Sequence, residues 1–594
     1  MNRKKAIIES QYEPATDSLW IHGKDLKAFI NGKWEILGSN LSSEEIEGLK
    51  TKVDSLDKKW EEEIPKLKKD IDNKISITDD VALDLLSYGV YWRPNVADPV
   101  LNRVGNMSYH KTLPIQNNMR GCIAQMKGGV KIMYYLNEND WRFRTPQDAR
   151  EYILKNQAIN FNDNKYTITN DVFSTLQYEY QYVKTNDIVC QVTNIDTGTK
   201  TATITPEKDL IAGSYDVELG AVLNGYDGEV MVEVPEFWIK SWDTDVRREV
   251  RISPSKIDDT WEHQPRILIS PYHDTALNTV PTGMGYLSTL EKDSAISVCN
   301  IHDYCRGGNN NKDYDQYITT DRFRSLLGKP RTAFLRNVAR ANCRRSGKEI
   351  LSYLQYKRVL YWLYVIEYAN FNCQAKFNSE LTSEGFRQGG LGNGVTTVDI
   401  NYWKFYSNNN PLTPNGYTNE FGNRTNIKEM TMVMPTVSNG KPVSSTTQYV
   451  PRWHGIENPF GHIWTIVDGI INNSASIVED AKIYNEYYIT DDPLLYNDHD
   501  YNNMKRIIGL NETNYIKEWN LGNTANMISR LAINTPTQYK CAYQWCDSQK
   551  GLKTFLFSGN AIATSKANIG SYYSYGSIFN KSNDFGFRSS CVIA

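Results

Sequence analysis

Apolar and polar positions alternate in short runs over most of the chain. Runs such as 128–135 and 229–234 are rich in β-branched and aromatic residues and are bounded by Gly, Asn, Pro and Asp. Near the N-terminus, Leu19–Gly23 and Phe29–Trp34 are predicted as two further short strands, the second passing through an Asn-Gly turn. The pattern predicts an α+β protein that is mostly β.

Residues 41–76 carry a helical pattern instead. Apolar residues follow a 3-4-3-4 spacing between charged positions, and they are Ile46, Leu49, Val53, Leu56 and Trp60. Ser42 to Glu45 supply an N-cap and first-turn acids, and Pro65 interrupts the pattern. The spacing predicts a short oligomerising coiled coil, with a single amphipathic helix lying on a neighbouring domain as the alternative.

Two later segments also depart from the β pattern. Residues 140–222 open with a predicted helix, Pro146–Lys155, and close with two alternating strands over Asp187–Thr205, which predicts an inserted α+β module. A second helix is predicted over Ile350–Phe371, with apolar residues on its buried side. The chain is thus expected to contain a docking segment (1–40), the coil (41–76), the first part of a large domain (77–139), the module (140–222) and the remainder of that domain (223–594).

Composition and charge exclude several classes of protein. The chain has 594 residues with 69 acidic against 66 basic side chains, which argues against a dedicated nucleic-acid partner. Its longest apolar run, 359–369, contains Glu367 and is about half of a membrane span, so no membrane insertion is expected. Without a secretory signal, and with nine scattered cysteines, the chain is expected to be made in a reducing cytoplasm.

Tyrosine and asparagine are both unusually frequent. There are 38 Tyr and about 56 Asn. Aromatic rings that offer rigid contact area, together with amides that offer adaptable hydrogen bonds, are typical of recognition surfaces. The alternative is a large β protein whose strands use Tyr and whose loops use Asn.

No motif predicts a catalytic residue, a metal site or a cofactor. The glycines of 389–394 lack the Lys-Ser/Thr ending of a phosphate loop, and His454 and His462 have no companion ligands at metal spacing. Cys541 and Cys546 form the one close cysteine pair near the C-terminus. In a regular strand their side chains would point to opposite faces, so two unrelated thiols are the simpler interpretation.

Three stretches resemble known families. Residues 455–469, which read Gly-Ile-Glu-Asn-Pro-Phe-Gly-His-Ile-Trp-Thr-Ile-Val-Asp-Gly, and the terminal Phe585-Gly586-Phe587-Arg588 resemble signatures of the C-type-lectin-like fold. That fold is shared by formylglycine-generating enzymes and by variable receptor-binding proteins of diversity-generating retroelements. Residues 94–116 resemble the opening of large tail or fibre proteins of phages that infect gut Bacteroidales.

The resemblance implies a phage virion fibre of the tail or head. Residues 1–40 would attach it to capsid or tail proteins, the coil would form a homotrimer, and a C-terminal lectin-like domain would bind a bacterial surface glycan or protein. The chain would be assembled in the host cytoplasm and act in the virion, outside the cell.

The residues of these motifs are expected to form the scaffold of that domain. We expect the Trp464 ring to fill the core and the Asp468 carboxylate to accept from buried loop amides. Phe585 and Phe587 alternate around Gly586, so their rings should share one face of a strand. Arg588 should face the other way and brace a carboxylate.

In the variable receptor-binding branch, ligand-facing residues cluster just before the final strand. The candidates for contact with a receptor are therefore Asn560, Asn568, Tyr572, Tyr573, Tyr575, Phe579, Asn580 and Asn583. Tyrosine faces that stack on sugars and amides that bond hydroxyls would suit a glycan. The alternative is a hairpin whose tyrosines pack inward.

The resemblance leaves two alternatives from other classes. Cys541 and Cys546 have the spacing of the cysteine pair of the formylglycine-generating family, which would make the chain a sulfatase-modifying oxidase. A purely structural virion decoration protein is the other. We expect no enzymatic activity.

Overall fold

The computed structural model describes the backbone of residues 19–22, 25–30 and 33–38 and the chain over 79–593. The gaps in the latter range are 95, 98–100, 127, 175–180, 224, 226, 277–295, 298–326, 328–329, 399, 401–412, 436–441 and 536–539. Side chains are described from residue 83 onward, apart from 276, 296–297, 432–435 and 442–445. The predicted coiled coil, including Ile46, Leu49, Val53, Leu56 and Trp60, lies outside the described residues.

The chain divides into two units, 1–82 and 83–594. Within the first, the strands β1 (Leu19–His22), β2 (Asp25–Ile30) and β3 (Lys33–Gly38) form one antiparallel sheet. Strand pairing places Phe29 opposite Trp34 and Ile30 opposite Lys33, so only Asn31 and Gly32 separate the two strands along the chain. Sequence analysis predicted two strands here, and the structure has three.

Four helices are described from residue 79 onward, besides short 3-10 turns. They are α1 (Asp79–Leu86), α2 (Met107–Thr112), α3 (Arg336–Arg345) and α4, a continuous helix made of Tyr353–Gln355, a π-helical segment Tyr356–Trp362 and Leu363–Tyr368. The 3-10 turns are Gln116–Asn118, Arg150–Tyr152, Asp171–Ser174, Asn419–Phe421, Pro493–Leu495 and Thr564–Lys566. Helix α4 confirms the helix predicted over 350–371, and a capping box between Ser352 and Gln355 fixes its start.

Two sheets hold the first part of the second unit. One contains seven strands in the order β22-β37-β19-β15-β6-β7-β8, with bounds β6 (Arg120–Gln125), β7 (Lys131–Asn137), β8 (Asp140–Arg144), β15 (Glu229–Val234), β19 (Ile267–Ile269), β22 (Glu349–Ile350) and β37 (Ser589–Val592). The other has the order β18-β16-β17-β4-β5, with bounds β4 (Tyr88–Trp92), β5 (Asn102–Gly105), β16 (Phe237–Asp243), β17 (Arg248–Ser253) and β18 (Glu262–Gln264). Strands from both ends of the unit therefore share one sheet.

Six strands between those segments close into a β-barrel. They are β9 (Ile153–Asn162), β10 (Lys165–Thr169), β11 (Tyr182–Thr185), β12 (Ile188–Asp196), β13 (Thr201–Pro206) and β14 (Gly213–Leu219). The two strands predicted over 187–205 are confirmed as β12 and β13.

The predicted helix Pro146–Lys155 is wrong, and so is the α+β class of the module. The last three residues of the predicted helix, 153–155, belong to strand β9, which pairs with β10 and β14. The turn between β9 and β10 is formed by Asp163 and Asn164, both at positive φ. Asn and Asp tolerate that conformation, so they build a tight hairpin turn. Strand pairing in the barrel determines the conformation from Ile153 onward, although the sequence has a weak helical pattern there. Within the range predicted as a helix, the only helical element is the 3-10 turn Arg150–Tyr152.

The rest of the second unit contains three further sheets and one two-stranded ribbon of β20 and β21 among the described residues. A seven-stranded sheet has the order β31-β30-β32-β35-β34-β26-β36, with bounds β26 (Trp464–Ile466), β30 (Asn514–Trp519), β31 (Ser529–Ile533), β32 (Tyr543–Cys546), β34 (Leu556–Phe557), β35 (Tyr572–Ser574) and β36 (Phe585–Phe587). The other strands are β20 (Thr275–Ala276), β21 (Ile296–Ser297), β23 (Asn426–Pro435), β24 (Pro442–Trp453), β25 (Ile456–Glu457), β27 (Ile470–Glu479), β28 (Lys482–Ile489), β29 (Lys505–Leu510) and β33 (Gly551–Lys553).

Helix α4 lies in the largest buried apolar cluster among the described residues. Its charged residues are paired inside that cluster, since burying an unpaired charge is costly. Arg358 Nη2 lies 3.1 Å from Glu262 Oε2, and Glu367 Oε2 lies 2.9 Å from His454 Nε2. The helix is therefore an internal support for the sheets around it.

Candidate ligand-binding cleft

The structure separates the eight predicted receptor-contact residues into three groups. Tyr572 and Asn568 are buried. Asn560, Tyr573 and Asn580 line one cleft. Tyr575 and Phe579 are 52% and 73% exposed, and Asn583 is partly exposed.

Tyr572 and Asn568 do not serve as receptor contacts, and the prediction for them is wrong. The Tyr572 ring is fully buried, stacks on Phe555 at a centroid distance of 5.0 Å and donates its hydroxyl proton to Gln544. Asn568 donates from Nδ2 to the Phe371 carbonyl at 2.9 Å. Successive residues of a strand point to opposite faces, so burying Tyr572 turns Tyr573 outward.

The cleft has a volume of about 570 Å³ and lies beside the C-terminal seven-stranded sheet. Its walls combine aromatic rings with amides, hydroxyls and charged groups. The residues lining it are Ile400, Trp464, Trp545, Asn560, Ile562, Ala563, Thr564, Lys566, Tyr573, Asn580, Lys581, Ser582, Asp584 and Phe585. A concave site that combines aromatic rings with polar groups can bind and orient a small ligand.

Four rings form what we call the aromatic floor of the cleft: Trp464, Trp545, Tyr573 and Phe585. Trp464 meets Trp545 edge-on at a centroid distance of 5.0 Å and meets Tyr573 at 5.5 Å, and Tyr573 lies 5.8 Å from Phe585. Strand pairing sets this arrangement, because Trp545 is opposite Tyr573 and Trp464 is opposite Phe585. Rings fixed in this way lose little freedom when a ligand stacks on them.

Helix α3 fixes the loop that follows Trp464. Arg340 forms a two-pronged ion pair with the buried Asp468 carboxylate, whose Oδ1 also accepts from Gly469 N at 3.0 Å. Arg336 donates to Asp498 at 2.6 Å and to the Ile470 carbonyl at 2.9 Å. Two arginines four residues apart on one helix therefore hold the loop from one side.

Sequence analysis missed both arginines. Their i, i+4 spacing in the segment 336–345 was a usable signal for one charged helix face, but nothing in the sequence indicated Asp468 and Asp498 as partners.

The terminal strand carries the other scaffold residues. Phe585 and Phe587 pair in parallel with Trp464 and Ile466, and both rings are buried. An added Cβ on Gly586 would lie 2.5 Å from Ile463 Cδ1, so the glycine allows this close packing.

The expectation that Arg588 braces a carboxylate is wrong. Its guanidinium donates to the carbonyls of Ser270, Glu457 and Asn458 at 3.3, 2.6 and 2.9 Å. Burial lowers the Arg588 pKa to about 10. Arg588 therefore connects two stretches of backbone, one at Ser270 and one at Glu457 and Asn458.

One wall of the cleft is held rigidly. Asn560 Nδ2 donates to Asp584 Oδ2 at 2.6 Å, and the Ser582 hydroxyl donates to Asp584 Oδ1. Thr564, on the same wall, has φ of +51°, a conformation that β-branched residues rarely adopt. Gln374 Nε2 donates to its carbonyl at 2.9 Å. Strain of this kind persists only where surrounding contacts fix the backbone.

The two cysteines of the alternative interpretation are structural. Cys541 and Cys546 are both buried and form no disulfide with each other, and burial raises the pKa of each thiol to about 11. A catalytic thiol needs accessibility and a lowered pKa. Their environment is the opposite, so this pair gives no support to an oxidase.

His454 is also a structural residue, since its hydrogen-bond contact with Glu367 is buried and Trp453 Nε1 donates to the same carboxylate at 2.9 Å. In the part of the chain that the structure describes, no group of three or more His, Cys, Asp or Glu residues could hold a metal ion. Among the same residues, no helix is long and apolar enough to cross a membrane.

Comparisons with known proteins give no family. No protein-family model matches the chain, and no curated protein matches it. Two solved structures, "Major Tropism Determinant M1 Variant" and "Major Tropism Determinant I1 Variant", are similar at 10% and 9% identity. Each alignment covers 74% of this chain and 87% or 86% of the other, with TM-scores of 0.18 and 0.17. Values this low do not establish a shared fold.

Proposed function

We propose that this protein is a phage virion fibre, of the tail or head, that attaches the particle to a bacterial surface glycan through the cleft. The observation that carries the proposal is the aromatic floor, four packed rings at the base of a cleft of about 570 Å³. The sequence resemblance of residues 455–469 and 585–588 to lectin-like receptor binders supports the same role.

A saccharide fits the chemistry of this cleft. Sugar rings present C–H faces that stack on Trp and Tyr, and hydroxyls that bond to amides and hydroxyls. The floor provides the first kind of partner, and Asn580 and Ser582 at the wall provide the second. Because the wall is already hydrogen-bonded through Asp584, little ordering is needed when the ligand binds.

The remaining parts of the proposal concern assembly. Residues 1–40 would bind capsid or tail proteins, and the seam Ile46, Leu49, Val53, Leu56 and Trp60 would make a homotrimer. Three cleft-bearing domains on one fibre raise avidity far above the affinity of one site, which suits weakly bound glycans. Tyr575, Phe579 and Asn583 would extend the contact outside the cleft.

Cell adsorption tests this function. Full-length protein is sedimented with cells from a panel of gut Bacteroidales strains, and the bound fraction is compared for the native chain, Trp545→Ala and Tyr573→Ala. Phe161→Ala, a half-exposed ring on the β-barrel, is the matched control. We expect both cleft variants to bind at least about tenfold less while remaining folded by circular dichroism.

Two results would contradict the proposal. Equal adsorption of the native chain and both cleft variants would place the binding surface elsewhere. Failure of the native protein to adsorb to any strain would favour a purely structural virion component.

A further inference from the structure

We infer that the ligand of this cleft is an acidic saccharide, a chain that carries carboxylate or other anionic groups. The inference rests on the proposed function and specifies the substrate class of the same site. Its basis is the charge of the described residues that line the cleft, which include two lysines and one carboxylate, Asp584, whose oxygens accept from the protein's own donors.

The positive groups are Lys566 and Lys581, both of which line the cleft. Lys566 Nζ lies 4.5 Å from the centre of the Tyr543 ring, so its ammonium group is supported over an aromatic face next to Trp545. Asp584, the carboxylate among the described lining residues, accepts from Asn560 and Ser582 and is not ion-paired with either lysine. Each therefore has charge to offer to a ligand.

The negative group is Asp584, and it is turned inward. One carboxylate oxygen accepts from Asn560 and the other from Ser582, and the side chain is almost completely buried. Of the other acids near the floor, Asp547 is ion-paired with Lys553. Among the described lining residues, a ligand entering the cleft therefore meets two ammonium groups rather than an unoccupied carboxylate.

The setting strengthens an interaction between the lysines and an anion. Ion pairs that lie against apolar surface are screened less than pairs in open water. A lysine acts as a point charge that accepts many geometries, which suits an anionic group attached to one of several sugar rings. The aromatic floor would then bind the sugar faces and the lysines would select for charge.

Matched polysaccharides provide the test. Immobilised polygalacturonate, alginate and hyaluronan are each paired with their carboxyl-reduced forms, which keep the chain but lose the charge. Full-length native protein, the Lys566→Gln/Lys581→Gln double variant and Lys550→Gln are applied to every pair at 50 and 500 mM NaCl. Lys550 is an exposed lysine that does not line the cleft, so it is the matched control.

We expect native protein and Lys550→Gln to bind at least one acidic polysaccharide at least tenfold better than its reduced form. The preference should shrink to about twofold or less in the double variant and should weaken at high salt. Equal or better binding of the reduced forms would overturn the inference and leave the proposed function standing. Binding to no member of any pair would contradict the inference, and adsorption of the native protein to cells would still decide the proposed function separately.

Discussion

Trp464 and Trp545 meet edge-on with their ring centroids 5.0 Å apart, although two strands lie between β26 and β32 in the order of the sheet. Their contact across β34 and β35 makes the floor of the cleft a set of packed rings rather than isolated side chains. Rings in edge-to-face contact are worth about 0.5–1.5 kcal/mol beyond their buried area. The floor is therefore preformed, and the cleft does not depend on a ligand for its shape.

We expect the hydrogen bond from Asn560 Nδ2 to Asp584 Oδ2 to contribute to the stability of the cleft wall. In Asn560→Ala the buried Asp584 carboxylate loses its Nδ2 donor, so we expect the free energy of unfolding to fall by about 1–3 kcal/mol. Urea denaturation measures the change. Asn583→Ala, at a partly exposed position outside the lining of the cleft, should change it by less than about 0.5 kcal/mol. Equal losses would show that the Asn560–Asp584 bond does not support the wall.

Arg340 and Arg344, one turn apart on α3, should respond very differently to substitution. Arg340→Met leaves the buried Asp468 carboxylate without its ion pair, so we expect a loss of about 3–5 kcal/mol in the free energy of unfolding. Arg344→Met removes a partly exposed pair with Glu349 and a hydrogen bond to the Pro493 carbonyl at 2.6 Å, so we expect a smaller loss of about 1–2 kcal/mol. Chemical denaturation of both variants compares them, and similar losses would contradict the role assigned to Asp468.

Tyr572 and Phe579 test the corrected assignment of the C-terminal aromatics. Tyr572→Ala should lower the free energy of unfolding by about 3–5 kcal/mol, because the ring is enclosed in the core. Phe579→Ala removes a ring that is 73% exposed and should be neutral within about 0.5 kcal/mol. Thermal denaturation distinguishes them. A neutral Tyr572→Ala would mean that this ring is free to meet a ligand after all.

His110 should make stability depend on pH below neutrality. Burial lowers its pKa to about 4, so between about pH 6.5 and 4 the unfolded chain binds a proton that the folded chain does not. The contribution of His110 to the free energy of unfolding therefore falls as the pH decreases from about 6.5 to about 4. We expect native protein to lose about 2 kcal/mol more than His110→Gln between pH 6.5 and 4.5.

The control for that pH experiment is His499→Gln, at an exposed position. It should leave the pH dependence of the native protein unchanged. If His110→Gln follows the same curve as native protein, His110 is not held neutral in the fold.

Local patterns in the sequence predict those elements whose residues interact mainly with their neighbours along the chain. The alternation around Asp196 and Gly198 predicts β12 and β13, and the apolar spacing over 350–371 predicts α4. The helix predicted over 146–155 is wrong because partners in β10 and β14 determine the conformation of Ile153–Asn162. No local pattern contains that information.

The same limit applies to the site. Alternation along Tyr572-Tyr573-Ser574 indicates that the two rings face opposite ways, but only the packing of Phe555 decides which one is buried. No local pattern distinguishes Trp545 as a site residue, because the recognisable feature of its segment is the cysteine pair Cys541 and Cys546. Its role depends on strand pairing with Tyr573, which brings together residues far apart in the chain.

Hydroxyl-radical footprinting of the full-length protein, with and without polysaccharide extracted from a strain to which it adsorbs, tests most directly whether the cleft is the binding surface. We predict that oxidation of Trp545 and Tyr573 slows several-fold when polysaccharide is present, while oxidation of Phe161 on the barrel does not change. Protection of Phe161 with no protection of Trp545 and Tyr573 would contradict the account.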